Sequence, residues 1–137
     1  MGSKDEDAMS KKDRLFSKLA QEWIGKTWLG WWKIDVVFYD NKEYAKVEGY
    51  KKKHARCSAA TCHTNWQYLD ATINVNLSVI KTMGKEQLEY VVVHELMHAF
   101  LNEMRAGGVE HEERVATILA KSFILCRQQE TGHRSDE

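Results

Sequence analysis

"EYVVVHELMHAFLNEMRAGGVEHEERVATILAKSF", residues 89–123, is the stretch whose reading decides the fold. His94 and His98 stand four residues apart, with Glu95 between them, in a run otherwise dominated by Val, Leu, Met, Ala and Phe. The apolar positions recur at helical intervals. Leu88, Val91, Val92, Glu95, His98 and Ala99 share one set of rows, and Val93, Leu96, Met97, Phe100, Leu101 and Met104 fill the other side. A helix apolar nearly all round is a buried one. Glu86 and Glu89 near its start and Arg105 near its end suit the helix dipole. Gly107 and Gly108 predict where it stops.

Residues four apart on a helix project to the same side, so His94 and His98 can aim their rings at one point. Imidazole nitrogens suit zinc, and a catalytic zinc site needs three protein ligands and an open position for water. Glu95 is rotated by about 100° from His94, within reach of such a water and able to take its proton. The alternative, a core helix with incidental histidines, buries a carboxylate beside two polar rings with nothing to compensate it. H-E-x-x-H on a helix is also among the more specific short patterns. A third ligand is needed, and the pattern with a histidine six residues past the second one fails: Leu101 and Met104 occupy its glycine and histidine positions. The ligand must come from beyond the Gly107–Gly108 turn, where Glu110, His111, Glu112 and Glu113 are available.

Here the chain resembles the gluzincin peptidases, in which a downstream helix supplies a glutamate followed by a small residue at three positions on and a polar residue at four. Glu113, Ala116 and Thr117 fit that register, with Ala120 one turn later. The resemblance therefore implies His94, His98 and Glu113 as zinc ligands, Glu95 as general base, and Thr117 as a support for a ligating histidine. Thr117 departs from the aspartate or asparagine usual there. Glu112 shares an inward row with Ala116, Leu119 and Phe123 but has an alanine four positions on. His111 as third ligand would instead resemble the SprT-like proteases, which act on protein crosslinked to DNA. The order "WKI" strand, cysteine-containing segment, "ATI" strand and H-E-x-x-H is similar to small metallopeptidase-like proteins of phages and prophages, over roughly residues 28–123.

Outward from this stretch, residues 11–25 predict an amphipathic helix, with Leu15, Leu19 and Trp23 beside Phe16, Ala20 and Ile24. "WLGWWKIDVVFYD" (28–40) has strand composition, and "DNKEYAKVEGYKK" (40–52) that of a turn or loop. A second strand falls between Ala55 and Thr64. From Leu69 to Leu77 apolar and polar residues alternate, which predicts a half-buried strand. A last helix, from about Glu110 to Cys126, turns Val115, Ile118, Leu119, Ser122, Phe123 and Cys126 inward. The order predicts an α+β domain with helices grouped apart from a small sheet. Its boundaries are residues 11–127, between a disordered tail (1–10) and a polar tail (128–137). The resemblance makes this a small zincin-like domain: an N-terminal helix, a mainly antiparallel sheet, the H-E-x-x-H helix and a C-terminal ligand helix. It also puts an edge strand at Leu69–Asn76, where an extended peptide or protein substrate would bind through backbone groups.

Twenty basic and twenty acidic residues leave no net charge, so neither nucleic acid nor an anionic membrane is an expected partner. No segment is long and apolar enough for a membrane span. Three cysteines make no disulfide framework, which predicts a reducing, cytoplasmic setting, the host's if the chain is phage-encoded. His54, Cys57, Cys62 and His63 in "HARCSAATCH" could hold a second zinc, at spacings unlike common fingers. Tyr68, Tyr90, His111 and Arg114 are chemically able to stabilise an oxyanion. The readings that follow are a zinc metallopeptidase or, alternatively, a non-catalytic regulatory module of a mobile element whose zinc staples two helices.

Overall fold

In the computed structural model, which describes residues 4–27, 29–101 and 111–135, the helix carrying the two histidines is the spine of the core. It runs Lys85–Phe100 (α5), and Leu88, Val92, Val93, Leu96, Met97 and Ala99 are fully buried on it. Three consecutive valines are poor helix formers, so packing rather than propensity holds this helix. The Gln87 side chain accepts the Gly84 N–H (3.2 Å) at its start. The expected stop at Gly107–Gly108 lies outside the described residues.

The other elements, in chain order, are α1 (Lys4–Lys26), β1 (Lys33–Tyr39), α2 (Asn41–Glu48), α3 (Lys52–Ala55), β2 (Ala60–Asn65), a 3-10 turn (Trp66–Tyr68), β3 (Asp70–Asn76), α4 (Leu77–Ile80) and, after α5, α6 (Glu112–Ser135). α1 packs along α5 with Phe16, Leu19, Ala20 and Trp23 buried, and the Phe16 ring meets Phe38 of β1 edge-on at 5.8 Å. The Trp23 indole donates to Glu89 on α5 (3.2 Å), which also pairs with Arg127 of α6. One carboxylate thus ties three helices. α1 takes in residues 4–10 and α6 continues to Ser135, so helix extends into both stretches that composition marks as tails.

The sheet is mixed rather than mainly antiparallel. Its order is β1-β3-β2, with β1 parallel and β2 antiparallel to β3. The strand expected at the edge, Leu69–Asn76, is therefore the central one, hydrogen-bonded on both sides. The alternation misleads because its polar residues are also buried. Ala71, Ile73 and Val75 face the main core, while Asn74 and Asn76 lie under α2 and α3. Asn76 donates to Asn41 Oδ1 (2.9 Å) and to the Ala55 carbonyl (3.0 Å) and accepts from the Ser78 N–H (3.1 Å). The edge on the α5 side is β2. The Asn76 N–H donates to the Ala59 carbonyl (2.8 Å), and the antiparallel alternation then turns the backbone groups of Ala60, Cys62 and Thr64 away from β3.

α2 occupies the segment expected to be loop. Asp40 caps it by accepting the Glu43 N–H (2.8 Å), and Gly49 ends it at φ 71°, a left-handed conformation that suits glycine. α2 delivers Glu48 to the sheet. This side chain is 5% exposed and accepts from Thr61 Oγ1, from Asn74 Nδ2 (3.0 Å) and from His63 Nε2 (2.9 Å). Burial opposes its ionisation, but the bonds from Thr61, Asn74 and His63 outweigh this and hold it below the usual carboxylate range. Glu48→Ala, which strands those donors, should cost about 1–3 kcal/mol at neutral pH. A depressed folded pKa contributes stability above the ordinary value of 4.5 and loses it as pH falls through the folded value. The gap between wild type and variant in urea unfolding should accordingly narrow between pH 7 and acid conditions.

Candidate metal centre

α5 presents His94, Glu95 and His98 to one side, and the first turn of α6 is laid across them. Close approach of the two helices is permitted by Ala116 and Ala120, both fully buried in the core. The Glu113 carboxylate bridges the histidines, with Oε1 2.8 Å from His94 Nε2 and Oε2 3.0 Å from His98 Nε2. The two imidazole rings stand 4.9 Å apart and nearly perpendicular. Ligand atoms from His94, His98 and Glu113 all lie within 4.8 Å of one another, so these three side chains could hold a metal ion. Among the described residues they are the only group of three or more that could do so.

Glu112, the other candidate ligand, sits behind His98 instead. Its Oε1 lies 2.6 Å from His98 Nδ1. With Nδ1–H donated there, the ring is fixed in the tautomer that leaves Nε2 free to ligate. Sequence reasoning missed this role, although the inward row Glu112 shares with Ala116 was legible. Thr117 does reach a histidine, but at His94 Nε2 (3.3 Å), the nitrogen that Glu113 also faces, so it does not hold that ring from behind. Tyr90, one turn earlier, stacks on His94 at 5.8 Å. His111 is exposed, with φ 74°, and lies outside the ligand group.

Glu95 is 4% exposed and lines the same cavity, of about 390 Å³, as the three candidate ligands. Its Oε2 is buried with no hydrogen-bond partner, and its Oε1 is 3.8 Å from His94 Nδ1, beyond hydrogen-bonding range. The neighbouring Glu95 carboxylate, followed by Glu113, raises the His94 pKa above its ordinary value against the opposing effect of burial. Three carboxylates around two imidazoles leave an electronegative pocket suited to a cation. A buried carboxylate oxygen with no partner has the same meaning: burying it is unfavourable unless a proton, a cation or a water held by one meets it. The donor set and the orphaned oxygen both fit a divalent ion.

The opposite wall of the cavity is the start of β2, Ala60–Cys62, with Tyr50 and Tyr90 at its sides. Of the four groups considered for an oxyanion, only Tyr90 lines the cavity; Tyr68 is 74% exposed beyond the far end of β2. Tyr50 was hidden in the segment read as loop. The proposed second zinc quartet does not assemble: Cys57 Sγ contacts the Lys53 carbonyl (3.7 Å) and His63 is bound to Glu48. On α6, Cys126, Ile118 and Ser122 are exposed rather than packed, because α6 seats through Ala116, Leu119, Ala120, Phe123 and Ile124. No helix among the described residues is long and apolar enough to cross a membrane. Comparison with known protein families, curated proteins and solved structures gave no match.

Proposed function

We propose that this chain is a zinc-dependent peptidase of gluzincin type and zincin-like fold, with His94, His98 and Glu113 as ligands and Glu95 as general base. The observation that carries the reading is the buried, unpartnered Glu95 oxygen in the cavity onto which the three ligand groups converge. A zinc ion held there would supply the polarisation of a carbonyl and the acidification of a water near neutral pH. The chain's own groups do the rest. Glu95 accepts a proton at Oε2, in a site dry enough for that charge to matter, and returns it to the leaving amine. Glu112 keeps the His98 ring in place through Nδ1. The outward backbone groups of Ala60, Cys62 and Thr64 on β2, rather than those of Leu69–Asn76, align an extended peptide across the cavity. Tyr90 and Tyr50 border the space where negative charge would develop.

The protein should cleave an unfolded polypeptide, stop on treatment with chelator, and recover with one equivalent of zinc. A protein that binds one zinc, melts higher for it and cleaves nothing across a broad peptide library is the stapled interaction module instead. The three-histidine alternative loses support from the placement of His111, and DNA-stimulated cleavage would be needed to revive it.

A further inference from the structure

The basic run Lys51–Arg56 has the composition of a solvated loop. It folds instead as α3, and the chain enters and leaves it through residues that line the metal cavity, Tyr50 on one side and Cys57 and Ser58 on the other. Cys57 Sγ contacts the Lys53 carbonyl one turn back, at the end of α3. Ala55 is buried with Tyr44 and Ala45, so α3 is anchored while Lys51, Lys52, Lys53, His54 and Arg56 are exposed. None of these three lysines, nor Arg56, pairs with a carboxylate among the described residues. Among the described residues the cavity therefore has a basic rim without carboxylate partners where β2 begins, and carboxylates at its centre.

From this arrangement we infer that the site selects extended peptides carrying acidic residues on the C-terminal side of the scissile bond. The inference rests on the peptidase reading for the words "scissile bond", and on the rim and the β2 edge for the charge preference. A peptide that adds to the outward edge of β2 pairs more stably antiparallel than parallel. It then runs from Thr64 toward Ala60, and its C-terminal part leaves over α3. Acidic side chains there meet Lys51, Lys52, Lys53 and Arg56. Basic ones are repelled by the rim; at the centre a divalent ion held by His94, His98 and Glu113 would offset the carboxylates, so the discrimination falls to the rim. The selection is for charge at one end, which separates it from nucleic acid, whose phosphates recur at every step and call for a basic surplus that the chain as a whole lacks.

The test uses zinc-loaded full-length Glu95→Gln protein and fluorescein-labelled unstructured peptides that share one apolar centre. Three glutamates, three lysines or three serines follow the centre, and in a fourth peptide the glutamates precede it. Anisotropy at low salt should show the C-terminal glutamate peptide binding about ten-fold more tightly than the lysine one, with the gap closing as salt rises. Lys51→Gln, Lys52→Gln and Lys53→Gln together should remove the preference, and the corresponding Glu substitutions should reverse it, with both variants retaining the wild-type melting temperature. Equal binding of all peptides overturns the proposal, and so does tighter binding when the glutamates precede the centre. A DNA duplex bound more tightly than any peptide, and lost in the Gln variant, overturns it in favour of nucleic acid. Because binding is read without turnover, the charge preference can hold even where wild-type protein cleaves nothing, which would defeat the peptidase reading alone.

Discussion

Glu95→Gln should lower peptide hydrolysis by about 10²–10⁴-fold while leaving zinc content unchanged. The amide keeps the size of the carboxylate but cannot accept the proton, so the loss belongs to chemistry and not to shape. Glu95 is not among the three ligands that converge, and its Oε2 has no partner to lose. Replacing a buried, unpartnered charge with a neutral group should leave stability equal or raise it by about 1 kcal/mol. Zinc analysis, thermal melting and turnover on one unfolded substrate give the answer together. Equal turnover by the two proteins would remove Glu95 from the mechanism.

Glu113→Ala should cost more zinc affinity than Glu112→Ala, though the two residues are adjacent and both touch a histidine. Glu112 acts through His98 Nδ1, a role whose loss typically weakens metal binding by about 10–100-fold. Glu113 faces Nε2 of both rings, and on the proposed ligand set its loss removes one of three attachment points. At free zinc about 100 times the wild-type dissociation constant, the ion adds about 2.7 kcal/mol of stability. A hundred-fold loss of affinity brings that down to about 0.4 kcal/mol at the same zinc concentration. The zinc-dependent rise in melting temperature should be nearly gone in Glu113→Ala and partly kept in Glu112→Ala. The opposite ranking would make Glu112 the ligand.

How much of this was legible depends on how local each signal is. The α5 helix and its paired histidines were readable because helical periodicity and the H-E-x-x-H spacing are both written in consecutive residues. The choice of Glu113 required knowing how α6 lies on α5, which only a resemblance could supply. The supporting role of Glu112 needed three dimensions. β3 was found as a strand but misplaced in the sheet, because Asn74 and Asn76 look solvent-facing in sequence and are in fact capped by α2 and α3. α2 carried its own punctuation, Asp40 three residues before Glu43 and Gly49 at its end, but eight half-polar residues give too short a period to stand out. The Glu48 tie joins α2 to two strands 13 to 26 residues further on, a separation that no local pattern spans.

Ala116 and Ala120 set the gauge of the whole centre. Methyl groups are what allow α6 to ride so close to α5 that a carboxylate on its first turn can touch both imidazoles. A longer side chain at either place would act as a shim, widening the seam and lifting Glu113 off the rings without altering any residue that carries chemistry. The bore of the candidate metal site is thus machined by two of the most featureless residues in the interface, and any affinity for an ion can drift through them while the recognisable motif stays intact.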